Sequence, residues 1–115
     1  MFEFQNLEVY KKAKAFHLEA KQLIQSVQLD KITKDQLSRA SFSIALNIAE
    51  GSGRFSKPDR RNFFIISRGS VFECVAILDI LHDSNSIEEQ TFNSFLKKAD
   101  ELSRILYAML KNLSN

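Results

Sequence analysis

The chain has 115 residues, of which 44% are hydrophobic and 26% charged, with 16 Lys and Arg against 14 Asp and Glu. This length suits one domain that buries roughly two-thirds of the surface of its unfolded chain, and the hydrophobic content excludes a disordered protein. No run approaches the roughly 20 uninterrupted apolar residues needed to span a bilayer, and the N-terminus lacks the apolar core of a signal peptide. The single cysteine, Cys74, cannot form an internal disulfide. We therefore expect a cytoplasmic protein without a membrane partner.

The net charge of +2 is distributed unevenly. Residues 51–70 hold five bases against one acid, a net +4, whereas residues 71–115 hold four bases against seven acids, a net −3. The five bases are Arg54, Lys57, Arg60, Arg61 and Arg68. This pattern predicts a local basic patch and excludes a uniformly basic coat for nucleic acid.

Three glycines and one proline are few for a sheet protein, and helix-forming residues are plentiful. Apolar residues recur every three or four positions over 5–27, which predicts the first helix. The segment TKDQ predicts a capping box of Thr33 and Gln36 before a second helix over 34–50.

The connection after the second helix contains two glycines. Gly51 is placed to take the left-handed conformation that ends a helix, and Gly53 loosens the turn. Ser56 as a cap and Pro58 in the first turn predict a third helix over 57–82. The sequence GSGR is no P-loop, because it follows a helix and lacks the GK[ST] ending. Two interpretations stay open: a plain helix corner, or an anion or nucleic-acid contact made by the basic residues that follow.

A second capping box, Ser86 with Glu89, predicts a fourth helix over 87–113. Four helices joined by short loops predict one all-α domain over 1–115, an antiparallel up-down-up-down four-helix bundle. Large apolar residues also lie off the main stripes of the middle helices: Phe42, Leu46, Ile65 and Phe72. A monomer has little use for them, and burying each is worth roughly 1.5–3 kcal/mol, so we expect self-association.

The polar residues of the second helix do not form a catalytic set. Glu50 has no histidine or cysteine nearby, and Glu73 should lie away from the corner in an antiparallel hairpin. We expect Asn47 and Glu50 to satisfy backbone groups or to pair with Arg39 or Arg54. No enzyme activity and no cofactor are predicted.

Small residues cluster in the middle of the third helix. Gly69, with Ser67 and Ser70, predicts the close approach of a neighbouring backbone, and Cys74 is expected in the core. His17 is expected at a surface or boundary position.

Three residues at the end of the third helix have a spacing that can bind metal. Asp79, His82 and Asp83 share one helix face, but the remaining ligands are missing. No metal site is predicted.

Residues 43–73 resemble the family of small four-helix-bundle proteins encoded within intervening sequences of bacterial 23S ribosomal RNA genes. The matching residues are Ser43-Ile44, Asn47-Ile48-Ala49-Glu50-Gly51, Gly53-Arg54, Ser56, Phe63-Phe64, Gly69-Ser70 and Glu73. The opening FEFQNLEVYKKA is also similar, and Ser67 departs from the alanine that members commonly carry. The resemblance implies an antiparallel bundle that forms a ring-like homopentamer with no known enzymatic activity. The chain is also similar to the basic pentameric accessory protein of diversity-generating retroelements, although it carries much less positive charge.

We therefore predict a non-enzymatic, homo-oligomeric scaffold that binds RNA or a ribonucleoprotein through Arg54, Lys57, Arg60, Arg61 and Arg68. The alternative is a protein-interaction module without nucleic acid, in which Asn47 and Glu50 line an intersubunit surface. A hydrolytic or metal enzyme lacks the required constellation of residues.

Overall fold

The computed structural model of the protein describes residues 2–113, and four α-helices account for most of them. A 3₁₀ turn, Glu3–Asn6, comes first. The helices are α1 (Glu8–Ser26), α2 (Lys31–Ser52), α3 (Lys57–Asp83) and α4 (Glu89–Asn112). No strand occurs within this range, which confirms the all-α prediction. No helix in residues 2–113 has the length and apolar content required to cross a membrane.

Helix α2 begins three residues earlier than predicted, because Asp30 and not Thr33 is its cap. The Thr33 amide donates a 2.7 Å hydrogen bond to Asp30 Oδ1, and its hydroxyl donates to Oδ2 at 3.0 Å. These bonds stabilise the carboxylate and lower the pKa of Asp30. The predicted Thr33–Gln36 capping box is therefore wrong, since Thr33 already lies inside the first turn.

The start of α3 follows the prediction, whereas the start of α4 does not. Ser56 Oγ accepts the Asp59 amide at 3.2 Å, and Pro58 lies in the first turn. Before α4, Asn85 takes a positive φ of 60°, and the Ser86 hydroxyl lies 3.0 Å from that of Ser84. The cap position falls to Glu88, whose side chain accepts no cap hydrogen bond, so the Ser86–Glu89 capping box is wrong.

Gly51 does not end α2, which is a third correction. The helix continues to Ser52 and closes at Gly53, whose φ of −88° is ordinary for any residue. A glycine is required at position 51 because α3 leaves no room there for a side chain. A Cβ atom there would lie 2.7 Å from Phe64 Cε1 and 3.0 Å from Phe63 Cβ, so α3 packs tightly against α2 at this point.

Each helix packs against the next along the chain, and α1 also packs against α4. Between α2 and α3, residue numbers run in opposite directions: Ser67 bonds to Ile44, and Glu73 to Gln36. The core is one cluster to which all four helices contribute. Its largest fully buried side chains are Phe16, Leu37, Ile44, Ile48, Leu78, Leu102 and Leu106.

Candidate self-association faces and basic corner

The predicted interface residues divide between two surfaces, and the first lies along α1 and α2. We call Phe42 and Leu46 the α1/α2 face, because Phe42 lies against α1; the Phe42 side chain is 50% exposed. Its ring lies 5.0 Å from the ring of His17. His17 Nδ1 in turn lies 2.7 Å from the hydroxyl of buried Ser41, which joins the two helices beneath the face. Burial and the positive charge of Lys21 lower the pKa of His17, which favours the neutral imidazole.

The second surface lies along α3 and α4. We call it the α3/α4 face; its exposed apolar residues are Ile65, Phe72, Leu96 and Tyr107. Phe72 is 56% exposed and borders a mainly apolar groove of about 700 Å³ between the two helices. Arg68 crosses this face, with its guanidinium 4.9 Å from the Phe72 ring and 5.5 Å from the Tyr107 ring. Its Nε donates to the Ser103 carbonyl at 3.2 Å.

These two faces lie on opposite sides of the molecule. Helix α2 packs between α1 and α3, and α4 packs between α3 and α1. Within residues 2–113, α1 does not pack against α3, nor α2 against α4. Going around this closed circuit, the groove between α1 and α2 is therefore opposite the groove between α3 and α4.

The close approach predicted for the middle of α3 occurs at Ser67 and Ser70 but not at Gly69. A Cβ atom added to Gly69 would meet nothing within 4 Å, so the part of the prediction that concerns Gly69 is wrong. The helices approach at the serines: Ser67 Oγ donates to the Ile44 carbonyl at 2.8 Å, and Ser70 Oγ to Ser43 Oγ at 2.8 Å. Gly69 instead lies on the α3/α4 face, beside Ile65 and Phe72.

The polar residues of α2 make structural contacts. Asn47 Nδ2 donates to the Ser43 carbonyl at 2.8 Å, and Arg54 pairs with Glu50 at 3.0 Å. Glu73 lies toward the other end of α2, where Gln36 donates to it at 3.4 Å. The two carboxylates do not meet, and this arrangement offers no acid–base pair.

Four of the predicted basic residues gather where α2 turns into α3. We call Arg54, Phe55, Lys57, Arg60 and Arg61 the basic corner. Arg54 lies over the Phe63 ring at 4.6 Å, and Arg60 Nε donates to the Arg54 carbonyl at 2.6 Å. Arg68 belongs to the α3/α4 face and not to this corner.

Of the residues considered for metal binding, His82 and Asp83 lie together, with His82 Nδ1 3.9 Å from Asp83 Oδ1, whereas Asp79 lies apart. His82 Nε2 lies 3.5 Å from Glu89, and its ring stacks on Phe92 at 4.5 Å. Asp79 lines the α3/α4 groove instead. Residues 2–113 contain no group of three or more His, Cys, Asp or Glu side chains that could hold a metal ion.

Cys74 is fully buried in the core, as predicted. Burial, with a smaller effect from the Glu73 carboxylate, raises the pKa of its thiol to about 12. Such a thiol is not a nucleophile at neutral pH.

Two features of these surfaces did not emerge from the sequence. His17 is half-buried, as predicted for a boundary position, but it also bonds to Ser41, and the spacing of apolar positions gave no sign of that pair. Phe55 is fully exposed at 102%. Its position between Arg54 and Lys57 in a short connection was the available signal, since such segments lie on the surface.

Comparison with known proteins agrees with this geometry. The chain is similar to a crystal structure of a protein of unknown function from the S23 ribosomal protein family of Bacteroides thetaiotaomicron, with a TM-score of 0.84 and 22% identity. The match covers 90% of this chain and 98% of that one, and at this identity it shows a common fold. No curated protein matches the sequence. The sequence model of the family described as "23S rRNA-intervening sequence protein" matches residues 5–108. The chain therefore belongs to the 23S rRNA-intervening sequence protein family.

Proposed function

We propose that this protein is a non-enzymatic cytoplasmic scaffold, an up-down-up-down antiparallel bundle whose copies assemble into a closed ring that binds RNA at its basic corners. One observation carries the proposal: the two exposed apolar faces lie on opposite sides of the molecule. Monomeric proteins rarely leave large apolar patches uncovered, and here two sets of large side chains face water.

The opposite placement of the faces selects a mode of assembly. A twofold dimer joins the same patch on both copies, so it would cover one face and leave the other exposed. Contact between the α1/α2 face of one copy and the α3/α4 face of the next covers both. Such head-to-tail contacts form a ring when the rotation closes, and the family resemblance implies five copies.

Ring assembly would also gather the basic corners. Rotation about the ring axis leaves height along that axis unchanged, so every copy places its corner at the same level. Five copies of a +2 chain would carry +10, with the net +4 of each 51–70 segment repeated around one rim. Repeated weak phosphate contacts combine into avidity for a long anionic chain such as RNA.

Light scattering with simultaneous absorbance at 260 and 280 nm tests the assembly and the nucleic acid separately. We expect a mass several times 13.2 kDa. Binding to labelled single-stranded RNA should weaken as salt rises, and replacing Lys57 and Arg60 by Ala should weaken it further. Lys31→Ala, at the other end of α2, is the matched control. A monomer at every concentration contradicts the ring, and salt-independent RNA retention contradicts the basic corner.

A protein-interaction module without nucleic acid is the second candidate. It is favoured by the contacts of Arg54 with Glu50 and of Arg60 with a backbone carbonyl, which already engage two of the corner cations. A stoichiometric protein partner that co-purifies without RNA, and is lost when Phe72 is replaced by Glu, would support this candidate.

A further inference from the structure

Phe55 is a fully exposed aromatic residue that neither the fold nor the two apolar faces require. It is 102% exposed, the highest value among the large apolar side chains of residues 2–113. It follows α2 at the turn into α3, so it lies at one end of the molecule and outside both faces. Assembly through those faces does not depend on its position.

Cationic residues lie close to Phe55 along the chain. Arg54 and Lys57 flank it in sequence, and the Arg60 guanidinium is held against the Arg54 carbonyl at 2.6 Å. Lys57 makes no ion pair with any residue of the described part of the chain. An exposed apolar ring in a segment with a net positive charge is complementary to a ligand that combines a flat apolar surface with nearby negative charge.

The connection that carries Phe55 is anchored on both sides. The amides of Gly53 and Arg54 each donate at 3.2 Å to carbonyls in the last turn of α2, and Ser56 caps α3. Arg54 is further held by the Glu50 carboxylate at 3.0 Å. A ligand that stacks on the ring therefore has little backbone to order on binding.

We propose that Phe55 is a base-stacking residue and that the basic corner binds unpaired RNA, with a base on the ring and adjacent phosphates on Lys57 and Arg60. This inference rests on the proposed RNA-binding function and specifies its substrate class. Single strands are bound by aromatic rings that stack on bases inside a basic surface, because every base has an exposed π-face. In a duplex those faces are covered by neighbouring base pairs, so duplex RNA offers only its phosphates.

Tryptophan fluorescence gives a direct test, since the chain contains no Trp. In the Phe55→Trp variant, titration with an oligouridylate of about 20 nucleotides should quench the emission as bases stack on the indole. Ile32→Trp is the matched control: Ile32 is also highly exposed but lies at the opposite end of α2, about 33 Å away for a 22-residue helix. Its emission should not change. Equal responses from the two variants would contradict stacking at Phe55.

Affinity measurements separate stacking from charge. Phe55→Ala should weaken oligouridylate binding about 5- to 150-fold, while Phe55→Trp retains it and Phe55→Leu, apolar but not aromatic, does not. The same Ala variant should bind inorganic polyphosphate and duplex RNA like the wild type. Thermal unfolding of the variants should be unchanged, because the side chain makes no buried contact.

The outcomes distinguish this inference from the function on which it rests. If the wild type binds oligouridylate and Phe55→Ala binds it equally well, Phe55 does not stack, and the RNA-binding proposal stands without it. If the wild type binds no RNA at any salt concentration, both fail. If Phe55→Ala reduces the mass measured by light scattering, Phe55 belongs to a contact between copies and the inference is overturned.

Discussion

The hydroxyl of Ser67 in α3 donates a 2.8 Å hydrogen bond to the main-chain carbonyl of Ile44 in α2, and both residues have no exposed surface. A serine side chain is short enough to let the two helices approach while still satisfying its own polar atom. A small side chain at position 67 therefore allows α2 and α3 to pack closely.

Replacing Ser67 by Ala should cost about 1 kcal/mol of unfolding free energy, the usual value of one hydrogen bond, because the backbone carbonyl keeps its place in α2. Ser67→Leu should cost more, since the added carbon atoms meet α2 in a filled core. Urea denaturation measures both. Similar losses for the two variants would show that volume is not limiting at this position.

Gly51 tests the same helix contact from the other side. Gly51→Ala should destabilise the protein by about 1–3 kcal/mol, because its Cβ would lie 2.7 Å from the Phe64 ring. Gly53→Ala is the control: the nearest atoms would be carbonyl oxygens at 3.7 and 3.9 Å, an ordinary contact. Denaturation curves that place both variants at the wild-type midpoint would contradict the steric role of Gly51.

Gly69 should respond in the opposite direction. It lies inside α3, with nothing within 4 Å of an added Cβ, so Gly69→Ala should stabilise the chain by up to about 1 kcal/mol. Since the residue lies on the α3/α4 face, the measurement is best made in a variant that carries Phe42→Glu and Leu46→Glu, at a concentration where light scattering shows a monomer. Destabilisation in that background would mean that the added methyl group clashes within the chain.

Acid should weaken the fold through His17. Its folded-state pKa lies below the ordinary 6.5 because of burial and Lys21, so the unfolded chain takes up the proton more readily. The contribution of neutral His17 to the free energy of unfolding is therefore fully present above pH 6.5, and it is lost as the pH falls through the pKa of His17 in the folded protein. Between pH 7.5 and 5.5 the wild type should lose more unfolding free energy than His17→Gln, in which the other titrating groups are retained. Equal losses would exclude His17 as the cause.

The spacing of apolar residues predicted the helices, because a helix that buries one face needs apolar residues every three or four positions. The helix ends were predicted less well, because they depend on the local backbone conformation. The spacing of apolar residues predicted four helices, which the structure contains, and Ser56 caps α3 as predicted. Thr33 and Ser86 also fit the capping pattern, yet Asp30 caps α2, and the turn at Asn85 comes before α4. The sequence pattern alone does not reveal which of two neighbouring polar residues takes the N-cap position of the helix.

The glycines show a related limit. Gly51 and Gly69 carry the same chemical signal, namely the absence of a side chain, but one meets Phe64 and the other meets open space. Only the position of α3 against α2 separates the two cases. In the same way, the sequence identified exposed apolar residues on α2 and α3, while their division between opposite faces depends on how the helices pack.

That division leads to a mixing experiment on the mode of assembly. One variant carries Phe42→Glu and Leu46→Glu and loses the α1/α2 face; another carries Ile65→Glu and Phe72→Glu and loses the α3/α4 face. All four side chains are about half exposed, so both variants should fold. In head-to-tail assembly each variant alone has no partner and should be a monomer.

Mixed in equal amounts, the two variants should form one discrete heterodimer, because each supplies the face that the other lacks. The dimer should not grow, since its outer faces are the two that carry glutamate. If each face instead paired with itself, either variant alone would remain a dimer through its intact face, and mixing would produce no new species. Light scattering of the separate and mixed samples therefore distinguishes the two geometries, and a dimer in both separate samples would rule out the ring.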